Sequence, residues 1–250
     1  MSDRYIDLLK KTLTNTLFQQ EPDIDDEIHR FVPAFTRHYI RSSAITMLPM
    51  VRLNNLESCV RRVIVDGVPG DLIETGVWRG GATILMRALL EVCDDPERVV
   101  WVADSFEGLP EPDAERFPTE AAGFHGPVIS KAYDRFAASL ETVRANFAAF
   151  GLLDDRVRFL KGWFKDTLGA APITKIAVMR LDGDYYESTM DALTALYDRL
   201  SIGGFVIIDD YAEDLWTNCR RAVDEFREAH GVDDTLIKVD SKCSYWRRSA

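Results

Sequence analysis

The chain has 250 residues, of which 46% are hydrophobic, and it carries a formal net charge of −11 at pH 7. This length and hydrophobic content are sufficient for one sizeable globular domain, and no apolar run is long enough to predict a membrane span. The excess of acidic residues argues against a nucleic-acid partner, because phosphate binding requires a basic surface.

Two helical stretches are predicted before the first strand. Apolar residues recur at helical spacing over 4–19 and again over 46–66, where Gly67 and the Pro69-Gly70 pair end the second stretch. We expect residues 1–69 to form a helical cover that is not an independent domain. Residues 70–250 are then expected to form the main α/β domain.

The motif that organises this predicted domain is Asp71-Leu-Ile-Glu-Thr-Gly-Val-Trp-Arg-Gly-Gly81. It predicts a short strand that carries Glu74 near its end, a turn that contains glycine, and a helix that runs to about Cys93. Glycines let the backbone approach a ligand closely, and the first N–H groups of the helix are free to bind it. The spacing differs from the G-x-G-x-x-G motif of dinucleotide-binding proteins, but it suits a cofactor that carries a nucleoside. A tight turn with packing glycines is the alternative.

The next predicted strand, residues 99–105, carries a second acid near its end, Asp104. In open α/β sheets a carboxylate about one β-α-β step beyond the glycine turn binds a ribose. We therefore predict that Asp104 binds the ribose of the cofactor. An ordinary turn or N-cap aspartate is the alternative interpretation.

A connection rich in proline and glycine follows, from residue 107 to residue 131. A loop this long without regular structure is uncommon in a compact domain and is typical of a lid or a binding loop. We predict a lid here, followed by a helix over 139–150 and a strand over 157–161.

Aspartates follow the fourth and fifth predicted strands. The strand over 176–181 leads into Asp182, and the strand over 205–208 leads into Asp209-Asp210. Because the carboxyl ends of neighbouring parallel strands open on the same crevice, we expect the three carboxylates to converge. A divalent cation would relieve their repulsion, and oxygen ligands without His or Cys favour Mg²⁺ over zinc. The alternative is that each aspartate serves a turn or an N-cap.

The alternation of strands and helices predicts an α/β fold with a doubly wound, mostly parallel, Rossmann-like sheet. After a helix over about 214–230, two short runs at 236–239 and 244–248 are predicted to form an antiparallel hairpin at one sheet edge.

The four cysteines are separated by long intervals and include no CxxC pair. They are Cys59, Cys93, Cys219 and Cys243. Each lies in or beside an apolar run, which favours reduced, mostly buried thiols and a cytoplasmic location.

Seven stretches, taken in order, form a pattern more specific than any one motif. They are Arg52-Leu-Asn-Asn-Leu56, residues 72–81, Trp101-Val-Ala-Asp-Ser-Phe-Glu-Gly108, Gly162-Trp-Phe-Lys-Asp166, Leu181-Asp-Gly-Asp-Tyr185, Ile208-Asp-Asp-Tyr211 and Tyr245-Trp-Arg-Arg248. In this order and spacing the chain, from Tyr5 onward, resembles the macrocin O-methyltransferase family. The resemblance is weakest over 23–47 and 111–131. It implies a class I methyltransferase domain that uses S-adenosylmethionine and Mg²⁺ to methylate a deoxysugar hydroxyl of a macrolide or another glycosylated natural product.

The resemblance also implies roles for individual positions. Asp182, Asp209 and Asp210 would hold the metal, and Asp182 would also be the general base. The glycine turn would hold the methionine end of the cofactor, and Trp163 would either flank the adenine or pack in the core. The predicted cofactor-binding residues are Glu74, Thr75, Gly76, Val77, Trp78, Arg79, Gly80, Asp104, Ser105, Ser139 and Trp163.

Two other functions are compatible with the same residues. A catechol or another phenol could replace the sugar as acceptor, because adjacent oxygens on either could bind the same metal. A protein that binds the cofactor without catalysis is the second alternative, although the carboxylates at both strand ends count against it. The expected partner is a small glycoside, with no nucleic acid and no membrane, and the resemblance favours a homo-oligomer.

Overall fold

The computed structural model of the chain describes residues 2–17, 43–126, 136–211 and 217–250. The strands within these ranges are β1 (Asp71–Thr75), β2 (Val100–Asp104), β3 (Val157–Lys161), β4 (Ile176–Leu181), β5 (Leu200–Ile208), β6 (Ile237–Lys238) and β7 (Ser244–Arg247). They form one sheet in the order β3-β2-β1-β4-β5-β7-β6. The first five strands are parallel, whereas β7 runs antiparallel to both β5 and β6. The predicted doubly wound, mostly parallel sheet with a C-terminal antiparallel hairpin is confirmed.

Helices cover both faces of this sheet. Those described are α1 (Ser2–Leu13), α2 (Met50–Val65), α3 (Gly81–Val92), α4 (Pro118–Phe124), α5 (Leu140–Ala149), α6 (Phe164–Thr167), α7 (Tyr186–Leu196) and α8 (Thr217–Ala229). α1, α2, α3 and α5 contribute to the hydrophobic core on one face of the sheet, and α6, α7 and α8 to the core on the other.

Apart from Asp71 at the start of β1, the polar residues of the central strands lie near the carboxyl ends of the strands, where the site is formed. β4 is buried along its whole length, and β1 and β2 are buried at every position except one end. Parallel strands covered on both faces are usually continuous apolar runs. Glu74 of β1 and Arg180 of β4 break this pattern, and they lie side by side in the register of the two strands.

The N-terminal helices belong to the core of the molecule. Ile6 and Leu13 of α1, and Leu53 and Val60 of α2, have no exposed surface. Residues 18–42 lie outside the described residues. From residue 43 the chain runs between α1 and the glycine turn. There Ile45 N donates to the Leu13 carbonyl at 2.8 Å, and Gly81 N donates to the Ile45 carbonyl at 3.1 Å. The helical cover is thus in direct contact with the site, whereas the boundary at residue 69 stays a prediction.

The predicted lid contains regular structure that the sequence analysis did not predict. Residues 118–124 form α4, which begins at Pro118. Proline is well suited to the first turn of a helix, because its missing N–H would have no partner there, and the acidic Glu120 favours the same turn. Residues 127–131 lie outside the described part of the chain.

Two expectations that came from composition can be compared with the structure. All four cysteines are unpaired, and Cys59, Cys219 and Cys243 are buried, as predicted. No helix in the described ranges is both long and apolar enough to cross a membrane.

Candidate active site

The carboxyl ends of the central strands open into a cavity of about 410 Å³. This volume falls within the range typical of small-molecule sites. Six of the predicted site residues line the cavity: Gly76, Trp78, Asp104, Ser105, Trp163 and Asp182. The cavity therefore brings together residues predicted for the cofactor and the residue predicted as the general base.

The glycine turn brings the end of β1 against the end of β4. Gly76 has a φ of 82°, and a Cβ added to it would lie 1.9 Å from the carbonyl oxygen of Asp182. Gly80 has a φ of 86° and is the N-cap of α3. No residue other than glycine fits at position 76, because both the backbone conformation and the space exclude a side chain.

Asp104 holds the glycine turn in place. Its Oδ2 accepts from Val77 N at 2.7 Å and its Oδ1 accepts from Phe106 N at 2.8 Å. Burial raises the pKa of Asp104, and these backbone hydrogen bonds oppose the rise. Asp104 is therefore a turn residue, as the alternative interpretation had it. The backbone N–H of Trp78 and the Oγ of Ser105 also bond to this carboxylate, so its four or so acceptor positions already have partners, and its binding of the ribose stays a prediction.

One carboxylate oxygen of Glu74 accepts a hydrogen bond, and the other does not. Its Oε1 accepts from Arg180 Nη1, whereas its Oε2 is buried and accepts no hydrogen bond. Burial raises the pKa of Glu74 to about 8, with the positive charge of Arg180 opposing the rise. Thr75 Oγ1 is also buried without a hydrogen-bond partner. Buried polar atoms are rarely left without a partner, so the end of β1 is suited to a polar ligand.

An acidic cluster lies at the ends of β4 and β5. Asp182, Asp184 and Asp210 each offer an oxygen, and these oxygens lie within 4.8 Å of one another. Burial and the neighbouring carboxylates raise the pKa of all three, that of Asp182 to about 6. Asp210 Oδ2 is buried without a hydrogen-bond partner. A divalent cation would relieve this repulsion, and three carboxylates form a ligand set suited to Mg²⁺.

This cluster differs from the predicted metal ligands in one member. Asp209 faces two arginines instead, with Oδ1 accepting from Arg180 Nη2 at 2.5 Å and Oδ2 from Arg52 Nη1 at 2.7 Å. The chain turns at these residues, so the adjacent carboxylates of Asp209 and Asp210 point to different partners. Asp209 as a metal ligand stays a prediction, and Asp184 becomes a further candidate.

Sequence reasoning missed three residues of this site: Arg52, Arg180 and Asp184. Arg180 had a detectable signal, because it is a single charge inside an otherwise apolar strand and is followed closely by two aspartates. Asp184 follows Asp182 by two residues and lies in the same stretch, Leu181-Asp-Gly-Asp-Tyr185. Arg52 comes from α2, far away in sequence, and only the fold shows that it reaches Asp209.

The helix α4 contributes Glu120 to the lining of the cavity. Glu120 is buried, and its Oε1 accepts from Tyr186 N, at the start of α7, at 2.9 Å. The ring of Phe117 stacks on that of Tyr186, with 5.0 Å between centroids. Arg116 also pairs with Glu187 at 2.5 Å. The predicted lid thus docks on the helix that follows the acidic cluster.

Arg79 lies in the turn but its guanidinium points to the N-terminal segment. Its Nη1 donates to the carbonyl of Ala44 at 2.8 Å, and the guanidinium stacks over the ring of Trp78 at 4.3 Å. Burial lowers the pKa of Arg79. Arg79 therefore joins the glycine turn to the helical cover, and its contact with the cofactor stays a prediction.

Ser139 and Trp163 have structural positions in addition to the roles predicted for them. Ser139 is the N-cap of α5, where its Oγ accepts from Thr142 N at 3.2 Å, and it does not line the cavity. Trp163 is the N-cap of α6 and does line the cavity. The location of Trp163 is compatible with a contact to the adenine, whereas no feature of the structure points to one for Ser139.

Comparison with known proteins identifies relatives over nearly the whole chain. The family model described as Macrocin-O-methyltransferase (TylF) matches residues 37–248. The chain is 49% identical to the 8-demethyl-8-(2,3-dimethoxy-alpha-L-rhamnosyl)-tetracenomycin-C 4'-O-methyltransferase of Streptomyces olivaceus, over 99% of this chain and 94% of that protein. It is 47% identical to the Mycinamicin III 3''-O-methyltransferase of Micromonospora griseorubida, over 98% and 96% of the two chains. The solved structure of the O-methyltransferase NovP superposes over all of both chains with a TM-score of 0.87 and 43% identity.

Proposed function

Because the chain belongs to the macrocin O-methyltransferase family, we propose that it transfers a methyl group from S-adenosylmethionine to a deoxysugar hydroxyl of a glycosylated natural product, with Mg²⁺ at the acidic cluster. One observation carries this proposal. The glycine turn and Asp182 touch at the ends of β1 and β4, where a Cβ on Gly76 would collide with the Asp182 backbone. A methyl donor bound at the turn would lie next to the proposed base.

The site has two halves. The first half, at the ends of β1 and β2, has residues that fit the methyl donor. The Oε2 of Glu74, which has no hydrogen-bond partner, would accept from the ammonium of the methionine moiety, and Asp104, which lines the cavity, would accept from the ribose hydroxyls. Ser105 is engaged in the turn, since its Oγ donates to the Gly108 carbonyl at 2.9 Å. We therefore propose Glu74 and Asp104 as the principal cofactor contacts, with Ser105 supporting Asp104.

The second half of the site is the acidic cluster after β4 and β5, and its residues fit Mg²⁺. Asp182 and Asp210 belong both to the predicted ligand set and to the cluster that the structure forms, so we propose these two as ligands. Asp184 or Asp209 would supply the third carboxylate. When bound, the cation would lower the pKa of the acceptor hydroxyl and orient its oxygen.

Asp182 is the proposed general base. It lines the cavity and is half-buried, with 26% of its side chain exposed, so that one carboxylate can face both the cluster and an acceptor. Asp182 would take the hydroxyl proton while the acceptor oxygen forms a bond to the methyl carbon and the carbon–sulfur bond of the donor breaks. Holding both reactants in line supplies a further part of the rate.

The charges of the cavity favour a glycoside over a nucleotide-activated sugar. Its outer wall carries Glu111, Glu120, Glu187 and Asp191, and Lys165 is their one cationic neighbour among the lining residues of the described chain. A pyrophosphate group would be repelled by these carboxylates. We therefore propose that the sugar is methylated after its attachment to the aglycone.

Methyl transfer to a panel of acceptors tests this function. The protein would be incubated with S-adenosylmethionine and deoxysugar glycosides, their aglycones, nucleotide-activated sugars or catechols, and the products would be examined by mass spectrometry. We expect methylation of glycosides only, lost on addition of EDTA and in Asp182→Asn. Methylation of catechols alone would contradict the sugar assignment. Methylation that persists in EDTA would contradict the metal.

We also propose that the protein works as a homo-oligomer in the cytoplasm. Tyr5 and Leu8 of α1 are 39% and 51% exposed, and they are candidates for a subunit contact. Light scattering after size-exclusion chromatography should give a multiple of the chain mass. A mass equal to that of one chain at micromolar concentration would contradict this proposal.

A further inference from the structure

Arg180 occupies a position between the two halves of the site. It is the one charged residue of β4, and its side chain is only 2% exposed. It lies beside Glu74 in the register of β4 with β1. A guanidinium at this depth must be compensated by partners, because an unpaired buried charge is strongly unfavourable.

The guanidinium bonds to both halves of the site at once. Its Nη1 donates to Glu74 Oε1 and also to Asp182 Oδ2, the latter at 3.0 Å. Its Nη2 donates to Asp209 Oδ1 at 2.5 Å. A single nitrogen is therefore shared between the carboxylate proposed for the cofactor and the carboxylate proposed for the base and the metal.

Nη1 carries two hydrogens and can donate to both carboxylates, so both draw on the charge of the same guanidinium. A cation bound at Asp182 would withdraw part of that carboxylate's charge from Nη1, so that Nη1 would bind Glu74 more strongly. Glu74 would then be held more firmly in the orientation in which Oε2 has no hydrogen-bond partner and can accept from the ammonium of the cofactor. Buried interactions of this kind are weakly screened, so the effect is expected to be measurable.

We propose, on the basis of the function proposed above, that Arg180 is a positioning residue that couples the two ligand sites. A divalent cation at the acidic cluster tightens cofactor binding, and the cofactor tightens cation binding by the same factor, as linkage requires. Arg180 acts through Glu74 and Asp182 and does not itself touch a reacting atom.

The test is calorimetric titration with S-adenosylhomocysteine, with and without Mg²⁺, on three proteins. In the wild type, Mg²⁺ should lower the Kd of S-adenosylhomocysteine by about fivefold or more. In Arg180→Lys the factor should fall below about twofold, because an ammonium is a point charge and lacks the planar fork that bridges several carboxylates. The readout is the ratio of two binding constants, which a general loss of stability leaves unchanged.

Arg87→Lys is the matched control. Arg87 is also buried and also pairs with a carboxylate, since its Nη2 donates to Asp154 Oδ2 at 2.5 Å. Its partners Asp154 and Glu91 lie outside the site, so this variant should keep the wild-type factor. If Arg180→Lys does not fold, Glu74→Gln breaks the same link from its other end and should also abolish the factor.

The possible outcomes separate this inference from the proposed function. Loss of coupling in Arg180→Lys but not in Arg87→Lys would support it. A wild type that binds S-adenosylhomocysteine equally well with and without Mg²⁺ would overturn the coupling alone, and so would an undiminished factor in Arg180→Lys. A wild type that does not bind S-adenosylhomocysteine at all would overturn the proposed function as well.

Discussion

At the scale of single residues, Glu74 combines a buried carboxyl with one oxygen left for a ligand. Burial raises its pKa to about 8, so in the protein without cofactor a part of the Glu74 population is protonated at neutral pH. An ammonium bound beside Oε2 would favour the ionised form and release a proton. By linkage, cofactor binding should therefore tighten as the pH rises from about 6 to about 8.

Calorimetric titration with S-adenosylhomocysteine, in buffers that differ in ionisation enthalpy, measures this proton release. It should be present in the wild type and absent in Glu74→Gln, whose amide does not titrate. Affinity that is independent of pH in the wild type, or the same proton release in Glu74→Gln, would show that another group is responsible.

Gly76 allows a second prediction, about stability. The substitution Gly76→Ala introduces a Cβ 1.9 Å from the Asp182 carbonyl oxygen, at a φ of 82°. We expect a loss on the order of 2–5 kcal/mol in the free energy of unfolding, from clash and backbone strain together. Gly67→Ala is the control, because Gly67 has a φ of 63° but nothing within 4 Å of an added Cβ. It should lose only about 1–2 kcal/mol. Equal losses in urea unfolding would contradict the clash.

A residue of the site can be predicted from the sequence when the pattern that marks it lies in the residues next to it. Asp104 and Asp182 follow directly from strand ends, and both line the cavity. Asp209 was predicted to join Asp182 on the same grounds, but sequence order does not tell which way a side chain points in a turn. The pairing of Asp209 with Arg52 links residues 157 positions apart, and no local pattern predicts it.

At the scale of elements, α4 is expected to control access to the cavity. The substitution Glu120→Ala removes the acceptor of Tyr186 N, which lies 2.9 Å from Glu120 Oε1. Loss of this hydrogen bond should destabilise the docking of α4 on α7 by about 1–2 kcal/mol. The fraction of molecules in which α4 is undocked should then rise roughly tenfold. Tryptic cleavage at Arg116 should become correspondingly faster, and the KM for the acceptor should rise while S-adenosylhomocysteine affinity stays constant.

Glu115→Ala is the control for that experiment, because Glu115 is exposed on the same segment. Its cleavage rate should match that of the wild type. If Glu120→Ala is cleaved no faster than Glu115→Ala, the hydrogen bond to Tyr186 does not hold α4 in place.

The elements themselves were largely predictable, since strands β1 to β5 and the helices between them show clear periodicity. Besides the short α6, the exception is α4, whose sequence Pro118-Thr-Glu-Ala-Ala-Gly-Phe124 lies among prolines and glycines typical of a loop. Its stability comes from contacts made at a distance, through Glu120 and Phe117 to the start of α7. Such tertiary contacts override local propensity, and a reading of local sequence does not detect them.

At the scale of the whole molecule, strand order determines where the chemistry is placed. β1 and β4 are neighbours at the centre of the sheet, although two strands and several helices separate them in sequence. The glycine turn after β1 therefore meets the acids after β4 and β5. The class of the fold was predictable from the alternation of strands and helices. The contact between Gly76 and Asp182 was not, because it depends on which strands become neighbours.

The central claim is that this cavity holds a nucleoside cofactor beside a divalent cation. Calorimetric titration of the wild type and of Asp210→Asn, first with S-adenosylhomocysteine and then with Mg²⁺, tests it most directly. Both proteins should bind S-adenosylhomocysteine with similar affinity, and only the wild type should bind Mg²⁺. Failure of the wild type to bind S-adenosylhomocysteine, or equal Mg²⁺ binding by the two proteins, would contradict the account.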